Sequence, residues 1–154
     1  MNRGSNQSGV TLIEMMIVVS IIGLMAAISF PSVASGLDSL RLTSASESIV
    51  SFLNSGMNRA QRRQEGVEIT ISKTENAIMM RSPDPAFQRR LQIPEGVVIS
   101  KIYPETPGID EPARSYILYP GGTVPRFGID IANKRGRHRI VRVDPITGIP
   151  QVEQ

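Results

Sequence analysis

Cysteine is absent from all 154 residues, so the chain can form no disulfide framework and offers no thiolate nucleophile or zinc–thiolate cluster. The absence leaves the compartment open, because many extracytoplasmic proteins have no disulfides. Histidine is nearly as scarce. His138 is the sole one, set among arginines in "RGRHR" and far from any Ser or Asp partner pattern, so a triad has no support. A P-loop, a dinucleotide-binding glycine pattern and an HExxH motif are all missing. The glycine pair in "YPGGTVP" reads as a turn. Glu105, Asp110 and Glu111 share one loop that reads as solvated rather than as a calcium site. No catalysis, metal or cofactor is therefore expected. No internal repeat is evident, and the length suits one modest core once any membrane segment is set aside.

Charge is missing from one long stretch. Between Arg3 and Asp38 the only ionisable side chain is Glu14, and the twenty residues from Met15 to Ala34 carry none. At about 1.5 Å of rise per residue, a helix of that length crosses roughly 30 Å of hydrocarbon. The region is longer than a usual signal core. No small-x-small cleavage site stands out, Ala26-Ala27 and Ser32-Val33-Ala34 being the nearest, so a retained anchor is expected over secretory cleavage.

Past Phe30 the pattern turns amphipathic. Val33, Leu37 and Leu40, then Ile49, Phe52, Leu53, Met57 and Ala60, recur at spacings of three and four. This predicts one helix from about Thr11 to Gln64, roughly 80 Å long, that leaves the membrane and buries one face against a globular domain. Pro31 removes a backbone hydrogen bond and should bend it. Gly36 and Gly56 each lower local helix stability by about 1 kcal/mol relative to Ala. After Gly66 the vocabulary changes to strands. "VEITIS" (67–72) and "AIMMR" (77–81) flank the turn-like Thr74-Glu75-Asn76 and read as a hairpin. "VVISKIY" (97–103), "SYILY" (115–119), "TVPRFGIDI" (123–131), "RIVRV" (139–143) and a short "IPQV" (149–152) follow, separated by proline-rich loops. The expected fold is α+β: a long N-terminal helix, half membrane-spanning and half amphipathic, packed on one or two antiparallel sheets like the stem of a lollipop.

The segment "SGVTLIEMMIVVSIIGLMAAISFP" resembles the N-terminus of type IV pilins and of the pseudopilins of type II secretion. The resemblance implies a leader, residues 1–9, that a prepilin peptidase removes after Gly9. Val10 then becomes the first mature residue and is N-methylated, and Glu14 becomes the fifth. Val10 departs from the phenylalanine usual in the family. Pro31 falls where many members carry a helix-bending proline. The implied organisation is a transmembrane and assembly helix over 10–34, its amphipathic continuation over 35–65, and a β-rich domain over 66–154 with a basic C-terminal region. An ionised acid at membrane depth costs about 2.5 to 3.5 kcal/mol. In the family picture, Glu14 of an incoming subunit pairs with the new amine of a neighbour in the fibre. A second account of Glu14 is a place in the headgroup layer, favoured by the helix dipole.

"SGMNRAQRRQEGVEITI" and "RIVRVDPITGIPQV" resemble the helix end, first strand and closing hairpin of the GspH/FimT family. Arg59, Ala60, Arg62, Arg63, Val67, Ile69 and Ile71 stand in for its arginine-rich pattern. Major pseudopilins usually carry calcium-loop acids near the C-terminus, and this basic tail argues against a major subunit. From Arg126 to Arg142 six cations face one acid, Asp130. Such a patch can bind phosphates without reading sequence. Gly136-Arg137-His138-Arg139 fits the "GRxR" string of family members that bind DNA in natural transformation, with Arg135 and Arg142 beside it. Strand alternation puts Arg137 and Arg139 on the side of Val141 and Val143. If those valines face the core, both arginines must lie in the loop before the strand.

Two functions remain open on the resemblance. One is a minor pseudopilin of a type II secretion system, acting in fibre initiation or tip assembly for protein secretion. The other is a FimT-like minor type IV pilin whose exposed basic region binds DNA. Both imply single-pass anchorage in the bacterial inner membrane with a periplasmic C-terminal domain. Both also imply as partners other pilin or pseudopilin subunits, the prepilin peptidase and an inner-membrane assembly platform.

Overall fold

The structure, a computed structural model, describes residues 9–105, 108, 111–121 and 124–153, the side chains of 30–34 excepted. Its contacts divide the chain into two compact units, Met1–Leu37 and Asp38–Gln154. A single helix among the described residues, α1 (Leu12–Arg63), contributes to both.

In the first unit α1 contains one span apolar and long enough to cross a membrane, Leu12–Ser29, with a mean hydropathy of 2.3 and none of it buried. Its polar interruption at Ser20 is satisfied locally, because the Ser20 hydroxyl donates to the Met16 carbonyl at 2.7 Å. The helical backbone runs through Pro31. The bend expected there rests on residues whose side chains lie outside those described.

In the second unit α1 buries Leu42, Ala45, Ser46, Ile49, Leu53, Gly56 and Ala60, a stripe at spacings of three and four. Ile49, Leu53 and Ala60 belong to the expected apolar face, and Phe52 and Met57 flank it half-buried. Leu37 and Leu40, also assigned to that face, are instead 46% and 69% exposed. The stripe that meets the sheets begins at Leu42, two residues round the helix from Leu40. The helix ends after Arg63 on Gln64, which adopts a left-handed φ of 54° and lets the Glu65 amide reach back to the Ala60 carbonyl at 3.3 Å.

Eight strands follow: β1 (Val67–Ser72), β2 (Ala77–Arg81), β3 (Gln88–Gln92), β4 (Val97–Tyr103), β5 (Ala113–Leu118), β6 (Gly128–Asn133), β7 (His138–Val143) and β8 (Pro150–Glu153). They make two antiparallel four-stranded sheets, ordered β3-β2-β1-β5 and β4-β6-β7-β8. β1, β2 and β4 coincide with the predicted runs, because period-two alternation there matches one buried face: Val67, Ile69 and Ile71 are fully buried. β6 is buried at all six positions and sits between β4 and β7. Tyr116 stacks on Phe127 with ring centroids 4.4 Å apart, and its hydroxyl donates to the Tyr103 carbonyl at 3.0 Å.

Five strand expectations shift, two of them, β7 and β8, by a single residue. β5 starts at Ala113 rather than Ser115, and β6 occupies Gly128–Asn133 rather than 123–131. Pro125 has no amide to donate to a ladder, which explains the later start of β6. β3, "QRRLQ", was not expected at all: its residues are exposed apart from half-buried Leu91, so no apolar alternation announces it. It exists through its pairing with β2.

Candidate functional site

Gly9 and Val10 precede the helix and are exposed. Thr11 caps it: the Glu14 amide donates to Thr11 Oγ1 at 3.3 Å, and the Met15 amide donates to the Thr11 carbonyl at 3.3 Å. Thr11 and Glu14 have the Thr-x-x-Glu spacing of a capping box, with the carboxylate in the first turn where the helix dipole favours it. Glu14 therefore has a local reason to stand where it does.

The basic region is built on the β6–β7 hairpin. Its turn, Asn133 to Arg137, is tied by the Asn133 side chain, whose Oδ1 accepts the amides of Arg135 and Arg137 at 3.0 Å each. Gly136 takes a φ of 74°, which a glycine adopts without cost, and its amide donates to the Asn133 carbonyl at 3.0 Å. The turn projects cations toward the second-unit part of α1. Arg135 Nε lies 3.1 Å from Asp38 Oδ2, and an Arg137 guanidinium nitrogen donates to Ser39 Oγ at 2.7 Å.

The hairpin register divides the cations that are close in sequence. Arg142 pairs with Gly128 at one end of the hairpin, near Arg126, whereas His138 pairs with Ala132 at the other, near Lys134 and Arg135. Arg142 is further engaged by Glu153 at 3.3 Å and sits over the Tyr103 ring. His138 Nδ1 is 3.0 Å from the buried carboxylate of Asp130. Val141 and Val143 do face the core, and Arg137 lies in the loop. Arg139 does not: it is half-buried within β7, where with Ser39, Leu42, Thr43, Arg137 and His138 it lines a cleft of about 280 Å³. Strand β7 starts at His138, one residue earlier than predicted, and its register sets Arg139 opposite the fully buried Ile131, on the inward side.

Other sequence candidates resolve simply. Glu105 pairs with Lys101 at 3.0 Å, and Glu111 pairs with Arg114. Asp110 lies outside the described residues. Among the described residues no cluster of three His, Cys, Asp or Glu side chains could hold a metal.

Sequence reasoning missed a hub at Arg59. Its guanidinium lies 3.7 Å above the Phe87 ring, donates to Asp84 Oδ2 at 3.1 Å and to Ser82 Oγ at 3.3 Å, and stands 3.0 Å from Glu65 Oε1. Periodicity places Arg59 on α1 but says nothing of the loop before β3 that supplies Ser82, Asp84 and Phe87.

Residues 4–30 match the family model of the prokaryotic N-terminal methylation motif. No curated protein sequence matches the chain. Among solved structures, the fold is similar to that of the minor pseudopilin EpsH from the Type 2 Secretion System of Vibrio cholerae, with a TM-score of 0.57 and 12% identity. That similarity covers 73% of this chain and 96% of the other. At such identity the likeness is one of fold, a long helix packed on antiparallel sheets.

Proposed function

We propose that this chain, which joins an N-terminal methylation motif to a pilin-like α+β fold, is a minor pseudopilin that serves as a fibre subunit of a type II secretion system, at initiation or at the tip. One observation carries the reading. The residues that match the motif also hold an exposed Gly9–Val10 junction outside the helix, a capped first turn bearing Glu14, and an exposed apolar span. A peptidase needs an accessible, non-helical bond, and Gly9 meets that need: a Cβ added there would touch nothing within 4 Å. Cleavage after Gly9 gives Val10 a cationic amine, which methylation leaves charged.

Glu14 then lies four residues inside the new terminus, at a depth where an ionised acid costs about 2.5 to 3.5 kcal/mol. A neighbour's amine offsets that cost only when the two subunits meet in register. The acid thereby becomes a test of correct docking. The apolar span anchors the subunit once in the inner membrane, with the globular domain periplasmic. Other pseudopilins, the prepilin peptidase and the membrane assembly platform are its partners.

Mass spectrometry of the membrane-extracted protein tests the processing, with a mature start at methylated Val10 expected. Intact Met1 in cells with an active leader peptidase overturns it. Substituting Glu14→Leu is expected to abolish incorporation into fibres without loss of membrane insertion. Fibres that take up the variant as readily as the parent sink the docking role.

A further inference from the structure

The strongest unexplained feature is a groove between α1 and β3. Its deeper part, about 380 Å³, is lined by Ser55, Arg59, Arg62, Arg63, Phe87 and Arg89. Arg59 is paired with Glu65 and Asp84 and lies over the Phe87 ring. The other three cations are not. Among the described residues no carboxylate lies within ion-pairing distance of Arg62, Arg63 or Arg89. Arg62 spends one donor on the Asn58 carbonyl, and the Arg89 guanidinium stands 5.7 Å from the centroid of the Phe87 ring. Phe87 thus lies beside two guanidiniums, of which Arg59 has carboxylate partners and Arg89 has none among the described residues. Arg62 and Arg63 already offset the helix C-terminus, yet three like charges around one concavity repel each other, and a bound carboxylate relieves that repulsion.

The groove continues along α1 as a cleft of about 480 Å³ that shares Ser55 and Arg89 with the deeper part; it passes Ser51, Phe52 and Ser48 to Ser44 and Glu47, so its own carboxylate lies at the end away from Arg62 and Arg63. Its far wall is β3, the end strand of its sheet. Register explains which side chains face in: Arg89 and Leu91 stand opposite Met80 and Ile78, both fully buried, and so share the helix-facing side. Arg90 points the other way, to Glu75 at 2.8 Å. The outer backbone edge of β3 has no strand beside it among the described residues. Cations on an edge strand ordinarily keep other strands away. Here the inward cation lies in a groove with two more, an arrangement that repels basic strands and favours an acidic one over a neutral one.

We infer that this groove binds an extended, carboxylate-bearing segment of another protein, which adds as a strand to the open edge of β3 while Arg62, Arg63 and Arg89 grip its acidic end. Strand addition supplies backbone hydrogen bonds, and guanidinium pairs with carboxylates supply selectivity. The inference does not depend on how the N-terminus is processed.

Fluorescence anisotropy on the full chain in nonionic detergent tests it, with a labelled peptide of alternating Thr and Val ending in Glu-Glu. Saturable binding is expected at about 0.1 M salt, where surface charges remain unscreened at short range. The Gln-Gln peptide and the Arg62→Gln/Arg63→Gln/Arg89→Gln variant are each expected to bind about tenfold or more weakly. A peptide methylated at alternate backbone amides is expected to lose binding. All three arginines are exposed or lie at a surface cleft, and an unchanged circular dichroism spectrum checks that the variant is folded. Equal binding of the Gln-Gln or the methylated peptide, or equal binding by the folded variant, overturns the inference. So does displacement of the acidic peptide by a single-stranded oligonucleotide at a lower concentration than by the unlabelled peptide itself.

Discussion

Asn76 shows how one side chain can join two sheets. It ends the β1–β2 turn at a φ of 48°, a conformation asparagine tolerates better than most residues. Its amide nitrogen donates to the Val97 carbonyl at 2.8 Å, and its Oδ1 accepts the Ile99 amide at 2.9 Å, so the side chain pairs with β4 as a short strand would. The turn itself was legible from Thr74-Glu75-Asn76. The reach to β4 was not, because nothing in local sequence says which distant backbone lies beside a turn. Replacing Asn76→Ala removes two part-buried hydrogen bonds and leaves both backbone partners unpaired. We expect a loss of about 2 to 4 kcal/mol, read from urea denaturation midpoints. Asn76→Asp keeps the acceptor and should fall between. At the β7–β8 turn, Asp144 accepts the amides of Ile146 and Thr147 at 2.7 and 3.1 Å, and these bonds, that from Ile146 first, hold its carboxyl below the ordinary 3.8. A depressed folded pKa contributes stability that is present above the unfolded value of about 3.9 and is lost as pH falls through the folded value. Parent and Asp144→Asn are therefore expected to differ in midpoint near pH 6 and to converge as pH falls through the folded pKa, which lies below the ordinary carboxylate value. A constant difference across that range would refute the charge-dependent part.

At the level of elements, the helix and most strands could be read because one face of each is buried and its period shows through. The exceptions have one cause. Leu37 and Leu40 continue the apolar spacing but precede the part of α1 that meets the sheets, and β3 has too little buried surface to leave a pattern. Gly56 is a further case. By sequence it is a weak point in a helix, yet an added Cβ would lie 2.6 Å from Met80 Cε and 3.1 Å from its sulfur, so this glycine is where α1 approaches β2 closely. Gly36 has open space at the same test. The obstruction at Gly56 is the tip of a flexible side chain. Gly56→Ala should consequently be near neutral, its gain in helix propensity of about 1 kcal/mol offset by moving Met80. Gly56→Val adds bulk that the fully buried Met80 cannot yield to, and we expect a cost of about 1 to 3 kcal/mol. Pairing it with Met80→Ala should show coupling in a double-mutant cycle, since each change then makes room for the other. Strict additivity would place the cost elsewhere.

For the whole molecule, the discriminating quantity is how much of the tail's positive charge is free to meet phosphate. Counted along the chain, residues 126–142 offer six cations against one acid. Folding changes that count in two ways: the hairpin register sends Arg126 and Arg142 to the end opposite Lys134, and Asp38 and Glu153, distant in sequence, pair with Arg135 and Arg142. Among the described residues, Lys134, Arg137 and Arg139 remain near the turn without a carboxylate partner. A site that neutralises about three phosphates has a slope of log affinity against log salt near −2.7, so binding to a duplex should weaken about 40-fold between 50 and 200 mM salt. We expect the full chain in detergent to shift duplex DNA weakly at low salt and not at about 0.15 M. Removing the acid tests the count directly, because Asp38→Asn releases Arg135 and should steepen the slope by about 0.9 while raising affinity at low salt. Submicromolar binding by the parent at 0.15 M, lost on Arg137→Gln/Arg139→Gln, would instead favour the DNA-capturing pilin over the secretion subunit. It would mean that the pairs with Asp38 and Ser39 open on contact with DNA, and that the turn is held in reserve by the helix rather than neutralised by it.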